Sequence, residues 1–93
     1  MNPDQDRPVP PLPPLPTGIY RHYKGGRYEV YGVARHSETL EPVVVYRPLY
    51  GEGALWVRPF AMFTGQVELG GERRPRFALE SAHKTALGSE DEQ

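Results

Sequence analysis

The chain predicts an all-β fold: a small, five-stranded, partly open barrel with one short helical turn. Three observations carry that prediction. Short apolar or alternating segments recur between Gly18 and Leu79 and are rich in Tyr, Val and Phe. Turn signals punctuate them at Lys24-Gly25-Gly26, Tyr50-Gly51-Glu52-Gly53 and Gly70-Gly71. Several strands are apolar on both faces, which a flat sheet of this size does not bury.

The elements follow in order. Ile19 to Tyr23 is an aromatic-rich strand ending in a hairpin-type turn at Lys24-Gly25-Gly26. Arg27 to Arg35 alternates, with Tyr28, Val30, Gly32 and Ala34 on one face and Glu29, Tyr31, Val33 and Arg35 on the other. His36 to Pro42 is a polar loop. Val43 to Leu49 is the strongest strand signal, and Pro48 places its end at an edge or bulge. In Leu55 to Arg58, Leu55 and Val57 suit the interior and Trp56 and Arg58 the outside. Pro59 fits the first position of a helical turn, where its missing N–H costs nothing. That turn, Phe60 to Phe63, is stopped by Gly65. Gln66 to Leu69 and Arg74 to Leu79 form a last hairpin around Gly70-Gly71.

The domain is placed at residues 17–80, between two tails expected to be disordered. Residues 1–16 are proline-rich, and Pro8-Val-Pro-Pro-Leu-Pro-Pro-Leu-Pro16 favours polyproline II. Residues 81–93 end in the acidic Ser89-Glu-Asp-Glu-Gln93, with a marginal helical turn over 81–87.

Composition excludes several classes. With no cysteine, disulfides and Cys-ligated metals are ruled out, which suits a reducing cytoplasm. The start lacks the basic and apolar regions of a signal peptide, and the longest aliphatic run, Val43-Val44-Val45, is far too short for a membrane helix. A cytoplasmic location is expected. Residues 18–79 hold nine Lys/Arg against six acids, and the remainder holds two against six. The domain is therefore mildly basic and its flanks are acidic, which falls short of a dedicated nucleic-acid binder.

The motifs Gly18-Ile-Tyr-Arg-His-Tyr-Lys-Gly25 and Ala34-Arg-His-Ser-Glu-Thr39 are similar to those of a bacterial family, domain of unknown function 1653. The resemblance continues through Tyr28-x-Val30, Val44-Val45-Tyr46, Leu49-Tyr50-Gly51, Leu55-Trp-Val-Arg-Pro59, Met62-Phe63 and Pro75-Arg76-Phe77. It covers residues 18 to 78 and implies an SH3-type barrel. It implies no activity, because the family has none assigned. Thr64-Gly65 departs from the acidic residue that the family pattern places after Met-Phe.

Five constellations are candidates for function. His36, Ser37 and Glu38 join a base, a nucleophile and an acid, but consecutive extended residues diverge and no Gly-x-Ser-x-Gly elbow is present. Their polar side chains suit a fixed turn better than a hydrolase site. His22 and His36 with Glu38 are the alternative, a metal site, if the first hairpin brings them together. Arg7-Pro-Val-Pro-Pro-Leu-Pro13 matches the basic P-x-x-P ligand pattern and is read mainly as a stiff spacer, a sharper variant being that this tail docks on its own barrel. Arg73-Arg74-Pro75-Arg76 is a short basic run, read as a solvated turn or a phosphate contact.

The fifth is a basic–aromatic set: Tyr20, His22, Arg35, Tyr46, Trp56 and Arg58. Such residues either fill a small core or make a binding face. The reading is a non-enzymatic binding module whose partner is a protein or peptide. The alternatives are RNA or single-stranded nucleic acid, and an enzyme or metal site around His36. No cofactor is called for, and edge strands leave a monomer or weak homodimer open.

Overall fold

The computed structural model describes residues 9–83. Strands β1 (Gly18–His22), β2 (Arg27–Arg35), β3 (Pro42–Pro48) and β4 (Trp56–Pro59) run as an antiparallel meander. A single helical turn, α1 (Phe60–Phe63), follows. The chain then forms β5 (Gln66–Leu69), β6 (Glu72–Pro75) and β7 (Phe77–Ala82). Five strands make one open sheet in the order β4-β3-β2-β1-β7, and β5 and β6 make a separate two-stranded ribbon. The fold is all-β.

The core lies on one face of the five-stranded sheet. Tyr20, Val30, Val44, Tyr46, Phe63 and Phe77 are buried in one cluster, with Leu15, Tyr28 and Phe60 packed against it. Phe63 comes from α1 and stacks on Phe77 of β7, with ring centroids 4.0 Å apart and planes 5° apart. Pro59 closes β4 and stands one position before the helical turn rather than inside it. At the far end Thr64 donates from Oγ1 back to the Phe60 carbonyl, at 2.8 Å.

Gly18 shows why the β1–β7 contact needs glycine. A Cβ at that position would sit 2.2 Å from the Ser81 carbonyl oxygen, and its φ of 143° is one that other residues rarely adopt.

Four expectations change. The last hairpin is formed by β5 and β6 alone; at Arg76 the chain leaves it, and β7 pairs with β1 instead. The Arg76 amide donates to Gly65, just before the ribbon, and its carbonyl accepts from Tyr23, just after β1. Alternation along β2 switches at Tyr31, because Val30 pairs with Tyr46 and Gly32 with Val45, leaving Tyr31 as a bulge. In β4, Arg58 and Trp56 pair with the core residues Val44 and Tyr46, so they lie on the core side and Val57 faces out. Leu55 and Val57 are 64% and 60% exposed, since nothing is layered over that side of the edge strand. Finally, Ser81 and Ala82 continue β7 rather than starting a helix.

Contacts also reach upstream of Thr17. Residues 9–16 form no strand or helix, yet Leu15 packs on the core and the Tyr20 hydroxyl donates to the Pro16 carbonyl at 2.7 Å. Arg35 Nη2 donates to the Pro10 carbonyl at 2.6 Å. Arg7 and the acidic stretch from Lys84 onward lie outside the described residues.

Removing the Phe63 ring opens a large void beside Phe77. Phe63→Ala should cost about 3–5 kcal/mol, much of what so small a domain holds. Urea unfolding checks this, and a loss under about 1 kcal/mol would show that the stack is dispensable.

Candidate functional site

Two exposed rings stand on two buried or half-buried ones. Tyr50, in the turn after β3, packs edge-on to Tyr28 at 5.8 Å, and the two hydroxyls share a 2.7 Å hydrogen bond. Trp56 packs edge-on to buried Tyr46 at 6.5 Å. Tyr28 and Tyr46 touch each other at 5.6 Å. Tyr50 is 57% and Trp56 54% exposed. Between them runs a shallow groove of about 320 Å³, lined by Pro48 and the Gly51–Ala54 turn as well as the two rings. Burial first, and the Tyr50 hydrogen bond second, push the Tyr28 hydroxyl up to about 12.

A basic margin continues from the groove across Phe77. The Arg58 guanidinium lies 5.6 Å over the Phe77 ring and its Nε donates to the Tyr46 hydroxyl at 3.3 Å. His22 packs edge-on to the same Phe77 ring at 4.8 Å and lies 4.6 Å from Tyr23. Lys24 Nζ stands 5.8 Å from the Tyr23 ring centroid. Burial, then the charges of Arg58, Arg76 and Lys24, lower the His22 pKa. That shift favours the neutral ring, whose Nδ1 accepts the Lys24 amide at 3.1 Å.

The structure divides the expected site residues into three groups. His22, Trp56 and Arg58 gather on this face. Tyr20 and Tyr46 belong to the buried core and present no ring to solvent. Arg35, His36 and Glu38 sit at the other end of β2. There His36 Nδ1 accepts the amides of Glu38 and Thr39, at 3.1 and 3.2 Å, and Arg35 Nη1 donates to the Leu40 carbonyl. These bonds close a turn in which Leu40 takes a φ of 66°.

His22 and His36 do not meet. The first hairpin forms as expected, but it pairs Arg21 with Arg27, so His22 and His36 lie at opposite ends of β2. Nine residues of strand separate them by roughly 30 Å. Among the described residues no three His, Asp or Glu side chains gather as a metal set would require.

Four residues of the face escaped the sequence reading: Lys24, Tyr28, Tyr50 and Arg76. A ring at Tyr50 is not needed to make a glycine turn, and that was the available signal. Arg76 belongs to the same basic run as Arg73 and Arg74, but those two are exposed on the ribbon, whereas Arg76 is half-buried.

Elsewhere four arginines, Arg21, Arg27, Arg47 and Arg74, meet a carboxylate. Glu80 accepts from Arg21 and Arg27, both at 2.7 Å, tying β7, β1 and β2 together. Glu29 accepts from Arg47 Nη2 at 2.9 Å and meets His83 at 3.1 Å. The hydrogen bonds from Arg21 and Arg27 hold the Glu80 carboxyl below its usual value. For Glu29, burial pushes up, but the hydrogen bonds from Tyr31, Arg47 and His83 outweigh it and the pKa falls. Among the described residues no helix is long and apolar enough to cross a membrane.

Comparison with known proteins agrees with this architecture. The family model of DUF1653, protein of unknown function, matches residues 18–79. A crystal structure of a DUF1653 protein from Bordetella bronchiseptica superposes with a TM-score of 0.66 at 40% sequence identity. That alignment covers 76% of this chain and 92% of the other. Among curated proteins nothing matches.

Because the Glu80 pKa is depressed on folding, its contribution is present above the usual 4.5 and is lost as pH falls through the lower folded value. Glu80→Gln should lower the melting temperature slightly at pH 7, and the difference should close in acid. Thermal melts from pH 7 to pH 3 test this; a gap that stays constant would mean the carboxylate charge is not what binds β7.

Proposed function

The chain belongs to the DUF1653 family, and from that premise we propose that it is a non-enzymatic binding module that takes a peptide segment of a partner protein. The face is built from Tyr50, Trp56, His22 and Arg58. The observation that carries this reading is the groove between two exposed rings, each braced on a second tyrosine. Tyr, Trp and Arg dominate interface energetics because they bury large areas and lose few rotamers. Rings held by neighbours before contact pay less still.

Two further observations support it. The base nearest a nucleophile in the sequence, His36, spends its Nδ1 on closing a turn. The arginines that would extend the basic margin into a track for a nucleic-acid backbone, Arg21, Arg27 and Arg47, are already paired with Glu80 and Glu29. A phosphate track needs several free cations in succession. The cysteine-free composition fits a reducing compartment, which supports a cytoplasmic partner.

Peptide display against the full chain, repeated with Trp56→Ala, tests the reading. Selected peptides should lose about tenfold or more in affinity for the variant, as expected for an interface anchor worth over 1 kcal/mol. Equal binding to both proteins would place the site elsewhere. Tight capture of a mixed short-RNA pool, weakening steeply with salt, would replace the peptide reading by a nucleic-acid one.

A further inference from the structure

The cations on the domain are divided unequally. Arg21, Arg27, Arg47 and Arg74 each have a carboxylate within 4 Å, while Lys24, Arg35, Arg58, Arg73 and Arg76 have none among the described residues; Arg35 is instead bonded to the Leu40 and Pro10 carbonyls. Three of these five, Lys24, Arg58 and Arg76, lie around one aromatic strip, Tyr23, His22 and Phe77.

Arg76 is the crossing point between ribbon and sheet. Its main chain is fully engaged, with the amide on Gly65 and the carbonyl on Tyr23. Its side-chain Nε is enclosed and has no hydrogen-bond partner. An enclosed donor without an acceptor costs about 1–3 kcal/mol, more when charged. Arg58 is anchored through Nε to Tyr46, and its two terminal nitrogens make no hydrogen bond within the described protein. An arginine fixed at Nε offers its remaining N–H groups as a planar fork suited to a carboxylate. Arg58, Arg76 and Lys24 all stand near enough for their charges to act on His22.

Resting on the peptide-binding reading above, we infer that Arg58 and Arg76 form a carboxylate-binding site beside the Tyr50–Trp56 groove, so that the peptide taken is acidic. A carboxylate there meets the terminal nitrogens of Arg58 and offsets a local excess of positive charge. A peptide acid is favoured over a phosphodiester because Lys24, Arg58 and Arg76 form a compact cluster rather than a line.

The chain contains one tryptophan, Trp56, so its fluorescence reports the groove, and the His22 ring resonances report the charge cluster. The probes are an acetylated Glu-Pro-Pro-Glu-Pro-Pro peptide, its Gln counterpart and a uridine hexanucleotide, all at matched ionic strength with the full chain. The Glu peptide should perturb Trp56 and bind about tenfold or more tighter than the Gln peptide. It should also raise the midpoint of the His22 titration, since it neutralises the charges that depress it. Arg76→Gln should abolish both the preference and the shift; Arg58→Gln, at a half-buried position, serves if the first variant does not fold.

Equal binding of the two peptides would overturn the carboxylate site and leave the groove intact. No response to the Glu peptide would overturn the inference, and the display experiment then decides the groove separately. A stronger, steeply salt-dependent response to the uridine hexanucleotide would reassign the cluster to phosphate.

Discussion

The five-stranded sheet has two free edges, β4 and β7, with no hydrogen bonds between them. What holds the fold shut is therefore side-chain packing, and its centre is the stack of Phe63 on Phe77. The helical turn after β4 delivers one ring and the first residue of β7 delivers the other. Tyr20 and Tyr46 pack on Phe63 at 5.5 and 5.6 Å, and Tyr28 packs on Phe77 at 5.4 Å. A short chain with no disulfide has few other means of bridging an open sheet.

The candidate face depends on that same cluster. Tyr50 rests on Tyr28, Trp56 on Tyr46, and both His22 and Arg58 on Phe77. Each exposed group on the face thus has a core ring behind it. This explains why large apolar side chains can stand in water here without collapsing into the interior: the interior is already filled by their supports. The face is rigid to the extent that the Phe63–Phe77 stack is rigid, which ties the groove to the stability of the fold.

Much of the fold was legible because its signals are local. Alternation from Arg27 to Arg35 gave β2 its full length, and Pro59 with Gly65 framed the helical turn. The inaccurate parts depend on pairing. The bulge at Tyr31 reverses which β2 residues face the core, and no local pattern marks it. The division of Glu72–Ala82 into β6 and β7 turns on Arg76, whose amide and carbonyl serve different sheets. Pro75, with no amide to donate, was the one hint of a break there. The outward placement of Val57 follows from its partner Val45, which alternation within β4 alone does not reveal. Of the site, the identities of Trp56 and Arg58 were readable, and their neighbours Tyr28, Tyr50 and Arg76 were not.

The Ala34–Thr39 motif looked the most like chemistry and is explained by backbone geometry. A non-glycine residue at positive φ, as at Leu40, is uncommon and needs outside support. The Leu40 amide donates to the His36 carbonyl, and the Leu40 carbonyl accepts from Arg35. His36 takes the two amides in between. Arg35 also reaches Pro10, so the same side chain that fixes the loop holds the upstream proline segment against the sheet. His36 and Arg35 thereby serve as structural acceptor and donor, and the cluster of Lys24, Arg58 and Arg76 lies at the other end of β2.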